Sequence, residues 1–250
     1  MTEPSCQLAC DAQCDLGEAP VWDERNGGRV YFVDINGKRI HVFEPDTGAH
    51  RSIQLDQPVA TIVPTSDFNK LLAALERDIV EVDVESGKVT RVLATTPEEH
   101  GIANYRFNDG KVSPQGSLLV GRMHSKWRDG NRGRLYALHP GSSQLQEGIM
   151  KRGPDGKLLA RPYGNLWVAL GESGSVVCYS AATGTLGGAA AGGAAGAAPT
   201  ACTFGGPQLE HLYVTTRVET GEDASPHHGG LFRITIPGVK GVAPAYKFPL

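Results

Sequence analysis

The chain has 250 residues, of which 40% are hydrophobic and 20% charged, and its formal net charge is −3. These values suit one globular unit and argue against two classes. A non-specific nucleic-acid binder runs on excess Lys and Arg, and a helical membrane protein needs apolar runs of roughly 20 residues, which this chain lacks.

In chain order, residues 1–16 carry no basic and apolar leader, and the five cysteines are odd in number. Both features read as reduced thiols in a cytoplasmic protein. Cys6, Cys10 and Cys14 recur at every fourth position, whereas structural zinc sites usually show closer CxxC pairs. They are therefore read as free thiols near the start of the chain.

From residue 30 a two-strand unit recurs. An apolar run is followed by a turn, an alternating run, and a turn rich in Gly, Pro, Ser or Thr. The apolar runs start at Val30, Leu71, Leu118, Leu166 and Leu212; the alternating runs start at Arg39, Asp78, Arg134, Ser175 and Gly230. A spacing of roughly 40–55 residues is the period of a four-stranded propeller blade, so five units predict an all-β propeller in one domain over 1–250. A β-sandwich of similar hairpins is the alternative, and the long period favours the propeller. The apolar runs are expected to be the inner strands and the alternating runs to lie further out. Leu186 to Ala198 is nearly pure Gly and Ala and is expected to be a flexible surface loop.

Three separated stretches resemble the senescence-marker/regucalcin/gluconolactonase family. The first is Leu16-Gly17-Glu18-Ala19-Pro20-Val21-Trp22-Asp23, followed by Val33-Asp34-Ile35. The second is Arg106-Phe107-Asn108-Asp109-Gly110-Lys111-Val112-Ser113-Pro114-Gln115-Gly116, and the third runs from Gly229-Gly230-Leu231 to Pro244. The resemblance implies a six-bladed propeller with one divalent cation near its axis: calcium foremost, with zinc, manganese or magnesium as alternatives. It implies hydrolysis of a small sugar lactone by metal-activated water. By position, Glu18 matches a metal ligand, and Arg106 and Asn108 match a substrate-facing pair.

Two departures accompany the resemblance. The family's middle Asn ligand has no counterpart, and five units are found where the family has six blades. About one blade is expected to be missing between 145 and 166, leaving a five-bladed or incomplete ring. At that join, Asp155 in Gly153-Pro154-Asp155-Gly156-Lys157 is either the family's Pro-Asp-Gly ligand, serving also as catalytic carboxylate, or a turn residue of an outer loop.

Oxygen donors such as Glu18 and Asp155 suit a hard cation, and a carboxylate beside it can act as general base. Each residue has a plainer reading. Glu18 could be a turn residue, Arg106 a surface cation, and Asn108-Asp109-Gly110 simply a turn. His124, Trp22 and Trp167 read as structural, and His227-His228 as solvated. The expected partner is a small sugar lactone, with no nucleic acid and no membrane, bound by a monomer. The rival expectation is a non-catalytic calcium-binding or degenerate propeller.

Overall fold

The computed structural model describes residues 3–97, 105–124, 133–147, 165–180, 186–190, 197–219, 226–243 and 246–250. Its strands fall into five antiparallel sheets, four of them four-stranded. Blade 1 is β2 (Gly17–Asp23), β3 (Arg29–Asp34), β4 (Arg39–Glu44) and β5 (Ala49–Gln54). Blade 2 is β6 (Thr61–Pro64), β7 (Lys70–Ala74), β8 (Asp78–Asp83) and β9 (Val89–Thr95). Blade 3 is β10 (Tyr105–Val112), β11 (Leu118–His124), β12 (Arg134–Leu138) and β13 (Leu145–Glu147). Blade 4 contributes β14 (Asn165–Leu170), β15 (Ser175–Ser180) and β16 (Leu186–Ala190). Blade 5 is β17 (Ala198–Gly205), β18 (His211–Arg217) and β19 (Leu231–Thr235), completed by β1 (Ser5–Cys10) from the other end of the chain.

The propeller architecture expected from the repeat is present. In blades 1, 2, 3 and 5 the apolar run is the second strand, as in the order β2-β3-β4-β5, an inner strand as expected, and the alternating run lies next to it further out. The physical reason is burial. A second strand is covered on both faces by adjacent blades, so β3 is buried over five of its six residues. The innermost strands β10 and β17 line the axis and keep mostly half-exposed residues. The edge strands β5 and β9 are largely exposed.

One correction concerns 186–198. Leu186–Ala190 forms β16, paired with β15 from Val176↔Ala190 to Tyr179↔Leu186, and Ala197 and Ala198 are buried. Backbone pairing overrides the poor strand propensity of Gly and Ala there. Residues 191–196 lie outside the described residues.

Hydrophobic clusters fill the blade interfaces. One joins blades 1 and 2 around Tyr31, Val33, Ile62 and Leu71. A second joins blades 2 and 3 around Leu72, Phe107, Leu118 and Phe248. A third packs blade 5 on blade 1 through Tyr213, Leu231, Trp22 and Phe32, and a fourth packs Val176 of blade 4 on Val214 and Phe232. Among the described residues no such cluster joins blades 3 and 4. Phe248 is held between its neighbours by backbone bonds, from its N–H to Pro64 O at 3.0 Å and from Ser66 N–H to its own O at 2.9 Å.

The ring is closed where β1 pairs antiparallel with β19, from Ser5↔Thr235 to Cys10↔Leu231. The turn after this pairing explains the Gly229-Gly230 motif. Gly229 has φ +73°, and a Cβ there would sit 2.2 Å from the Cys14 carbonyl oxygen. Cys14 N–H donates to Gly229 O at 2.9 Å, which fixes that approach. Gly229→Ala is expected to lose roughly 2–4 kcal/mol, combining left-handed strain with overpacking. Gly48→Ala, with φ +71° and no atom within 4 Å of the added Cβ, should lose about 1 kcal/mol. Urea denaturation of both variants checks this; equal losses would remove the closure contact as the cause.

Candidate axial site

The innermost strands bring the first two sequence motifs together. Between Glu18 and Val21 the β2–β3 register shifts by a bulge, and Ala19 takes φ +47°. β10 has a matching irregularity between Asn108 and Gly110, with Asp109 at φ +49°. Bulges re-aim side chains, and both fall on strands that line the axis. These blades touch directly: Lys111 Nζ of blade 3 donates to Pro20 O of blade 1 at 3.5 Å, and Thr61 Oγ1 of blade 2 donates to Gly110 O of blade 3 at 3.3 Å.

Glu18 is the central carboxylate. Its Oε2 accepts the Ala19 N–H at 3.2 Å, and among the described residues it forms no ion pair. Burial pushes its carboxyl up to about 7; the Ala19 N–H opposes this, Asp109 adds to it, and Arg106 and Lys111 pull it back. Those couplings place Glu18 among the charged side chains of β10, as its reading as an axial residue requires.

Arg106 is half-buried, and its Nη1 donates to Asn108 Oδ1 at 2.8 Å and to Phe107 O at 2.9 Å. Desolvation lowers its pKa, and Glu18 opposes that shift. Arg106 and Asn108 thus act as one preset unit. The guanidinium occupies the amide oxygen, leaving the Asn108 NH₂ to donate elsewhere. Cys202, on β17, lies with Trp167 in the cluster between blades 4 and 5, its thiol 3.6 Å from Trp167 O. Its thiol is pushed up to about 11, chiefly by burial and against the pull of Lys111.

Sequence reasoning singled out Glu18, Arg106 and Asn108; Arg106 is hydrogen-bonded to Asn108 and acts electrostatically on Glu18. That reasoning missed Lys111 and gave Asp109 only a structural role. The signal for both was their place in an alternating inner strand, two residues apart. Asp155 lies outside the described residues, and His124 ends β11 in an edge-on ring contact with Tyr105 at 4.7 Å.

A divalent cation fits Glu18 in one respect. A buried carboxylate with a raised pKa and no cationic partner within ion-pair distance gains most from a cation. Among the described residues, however, Glu18 and Asp109 have no third His, Cys, Asp or Glu ligand close enough to complete a group with them. Further oxygen donors would have to be amides, waters or residues outside the described set.

The chain matches the model of the SMP-30/Gluconolactonase/LRE-like region in two pieces, residues 16–151 and 145–218. A regucalcin of Xenopus laevis is 28% identical over 295 aligned positions, covering 92% of this chain and 93% of the relative. A pentonolactonase of Haloferax volcanii is 27% identical, covering 90% and 92%. Both alignments are longer than this 250-residue chain, so each relative carries internal residues without counterpart here. The two family matches overlap at 145–151. Among solved structures, a luciferin-regenerating enzyme superposes with TM-score 0.80 at 22% identity, covering 98% of this chain and 99% of its own. A calcium-binding regucalcin of Agrobacterium tumefaciens gives 0.77 at 20% identity, covering 98% of each chain. These two likenesses establish the propeller fold.

The raised Glu18 carboxyl has a pH consequence. An acid whose folded pKa exceeds its unfolded value loses folded-state stability as pH rises from the unfolded pKa through the folded one, here from about 4.5 to about 7. In chelator, Glu18→Gln is therefore expected to be more stable than the parent by roughly 1–3 kcal/mol at pH 8. Near pH 4 the two should match. Thermal melts at both pH values check this; a variant less stable at pH 8 would show that Glu18 is held by a partner outside the described residues.

Proposed function

The chain belongs to the SMP-30/gluconolactonase/LRE-like family, and from that membership we propose that it hydrolyses a small sugar lactone at the axial site. What supports this reading is the buried Glu18 carboxyl, coupled electrostatically to Arg106, which in turn is hydrogen-bonded to Asn108. Relatives named as sugar-lactone lactonases support the reaction class.

Lactone hydrolysis adds water to the carbonyl carbon, breaks the ring C–O bond and moves the water's proton to the departing oxygen. The product is a hydroxy acid. The residues present match the charges this reaction develops. Arg106 is a planar donor, partly desolvated, suited to a carbonyl oxygen becoming a carboxylate. The Asn108 NH₂ is available to a sugar hydroxyl. Lys111, anchored near Pro20, adds positive potential on the same side. A Glu18 carboxyl near pKa 7 exchanges a proton readily near neutrality when no cation is bound.

Glu18 and, in the ligand reading, Asp155 would hold the divalent cation. Calcium is the first choice for an oxygen donor set, with zinc, manganese or magnesium as alternatives. When bound, that cation supplies carbonyl polarisation and a more acidic water. Asp155 would also be the carboxylate placed to take the water's proton.

A second reading rests on one observation, the internal residues of the relatives that this chain lacks. A propeller that keeps the Glu18 half of the site without the rest would bind a cation and not turn over a lactone.

A pH-stat assay with gluconolactone and Ca²⁺, Zn²⁺ or Mn²⁺ separates the two. Metal-stimulated turnover above the spontaneous rate is expected. Arg106→Ala and Arg106→Lys should each lower kcat/KM about 10²-fold, because an ammonium lacks the planar fork. Cation binding in calorimetry without turnover would favour the second reading. Equal turnover in parent and Glu18→Gln would overturn the first.

A further inference from the structure

On the far side of β2–β3 from the axial group, three buried side chains converge that the proposed hydrolysis does not use. Cys14, Asp34 and His41 are 1%, 2% and 1% exposed, and one ligand atom from each lies within 4.8 Å of the others. We propose that they form a second, buried metal site for a zinc-type divalent cation, with His50 fixing the histidine ligand.

The geometry supports this at each member. Cys14 Sγ lies 3.6 Å from His41 Nε2. With Zn–S of about 2.3 Å and Zn–N of about 2.05 Å, a tetrahedral angle puts sulfur and nitrogen about 3.6 Å apart. On its other side, His41 Nδ1 is 2.9 Å from His50 Nε2, and the two rings stack with centroids 5.1 Å apart. In the tautomer where His41 Nδ1–H donates to His50, the Nε2 lone pair faces the thiol and the carboxylate. A second hydrogen-bonding group behind a metal-binding histidine is the usual way of orienting it. Burial, followed by the influence of His50, lowers the His41 pKa to about 4, so the ring is neutral at physiological pH and competent to ligate.

Asp34 is held in place by backbone. Its Oδ1 accepts Leu16 N–H and Gly37 N–H, both at 3.0 Å, and its Oδ2 accepts Asp15 N–H at 3.2 Å. A Cβ at residue 37 would fall 2.1 Å from Asp34 Oδ2, so Gly37 makes room for the carboxylate. Oδ2 keeps a lone pair, and closing a tetrahedral site would move it by about 1 Å. Among the described residues Asp34 forms no ion pair, so a cation would supply its missing counter-charge.

The donor set is one sulfur, one nitrogen and one oxygen, which suits zinc over calcium. It is electrostatically separate from the axial group. Asp34, Cys10 and Arg39 act on Cys14, whereas Asp109, Arg106 and Lys111 act on Glu18. The site spans the ring closure, since Cys14 follows β1 and bonds to Gly229, while Asp34 and His41 belong to β3 and β4.

The test is refolding of the full chain with one equivalent of Co²⁺ as a spectroscopic stand-in for zinc. A thiolate-to-cobalt charge-transfer band in the near ultraviolet is expected. It should persist in Glu18→Gln and Cys10→Ser, vanish in Cys14→Ser, and require at least about tenfold more Co²⁺ in His41→Gln. A parent without the band, or a band that survives Cys14→Ser, overturns the proposal. If Cys14→Ser fails to fold, X-ray absorption of the zinc-loaded parent decides the matter. One sulfur in the metal shell supports the site, and a shell of oxygen and nitrogen alone overturns it.

Discussion

The ladder between Ser5–Cys10 and Leu231–Thr235 is the contact that turns a row of sheets into a ring. A strand left at a sheet edge exposes unpaired N–H and C=O groups, and blade 5 would end on such an edge at β19 without β1. Pairing segments from opposite ends of the chain solves this and brings distant sequence together. Blade 5 is thereby pressed on blade 1 through Tyr213, Leu231, Trp22 and Phe32. The loop from Cys14 to Leu16 is carried across that interface, and Glu18 reaches the axis only because this loop is anchored. Backbone bonds from residue 14 to Gly229 and from Ile35 N–H to Leu16 O hold it on either side.

Once the ring is closed, the strands face different constraints according to radius. Second strands are covered by neighbouring blades, so apolar residues on both faces lower their free energy. Innermost strands have less apolar surface to bury and more room for polar groups. Burial without a partner raises the energy of a charge, and Glu18 shows this in its elevated pKa. The bulges at Glu18–Val21 and Asn108–Gly110, with positive φ at Ala19 and Asp109, store local strain beside the residues assigned to chemistry. The interlocking second strands are what make such strain tolerable.

The same radial difference decided what the sequence disclosed. The repeat was visible because β3, β7 and β18 are continuous apolar runs and their partners alternate, a pattern set by burial alone. β16 was hidden, since Leu186–Ala190 has neither β-branched nor aromatic residues and owes its conformation to pairing with β15. Glu18, Arg106 and Asn108 were legible through motif likeness and not through periodicity. The Cys14–Asp34–His41 group was hidden for another reason. Its members are 20 and 7 residues apart in sequence, and only the anchored loop and the β3–β4 turn bring them together.

The unequal retention of the family pattern also has a structural logic. The continuous stretch from residue 16 to 124 supplies Glu18, Arg106, Asn108, Asp109 and Lys111, and it builds blades 1 and 2 and the inner half of blade 3. The two family matches overlap at 145–151, which begins with β13, the outermost strand of blade 3. Hydrophobic clusters among the described residues fill the interfaces between blades 1 and 2, 2 and 3, 4 and 5, and 5 and 1, so Glu18 on blade 1 sits between two packed neighbours. The candidate residues Glu18, Arg106, Asn108, Asp109 and Lys111 all precede the overlap of the two family matches, on blades that pack through continuous hydrophobic clusters.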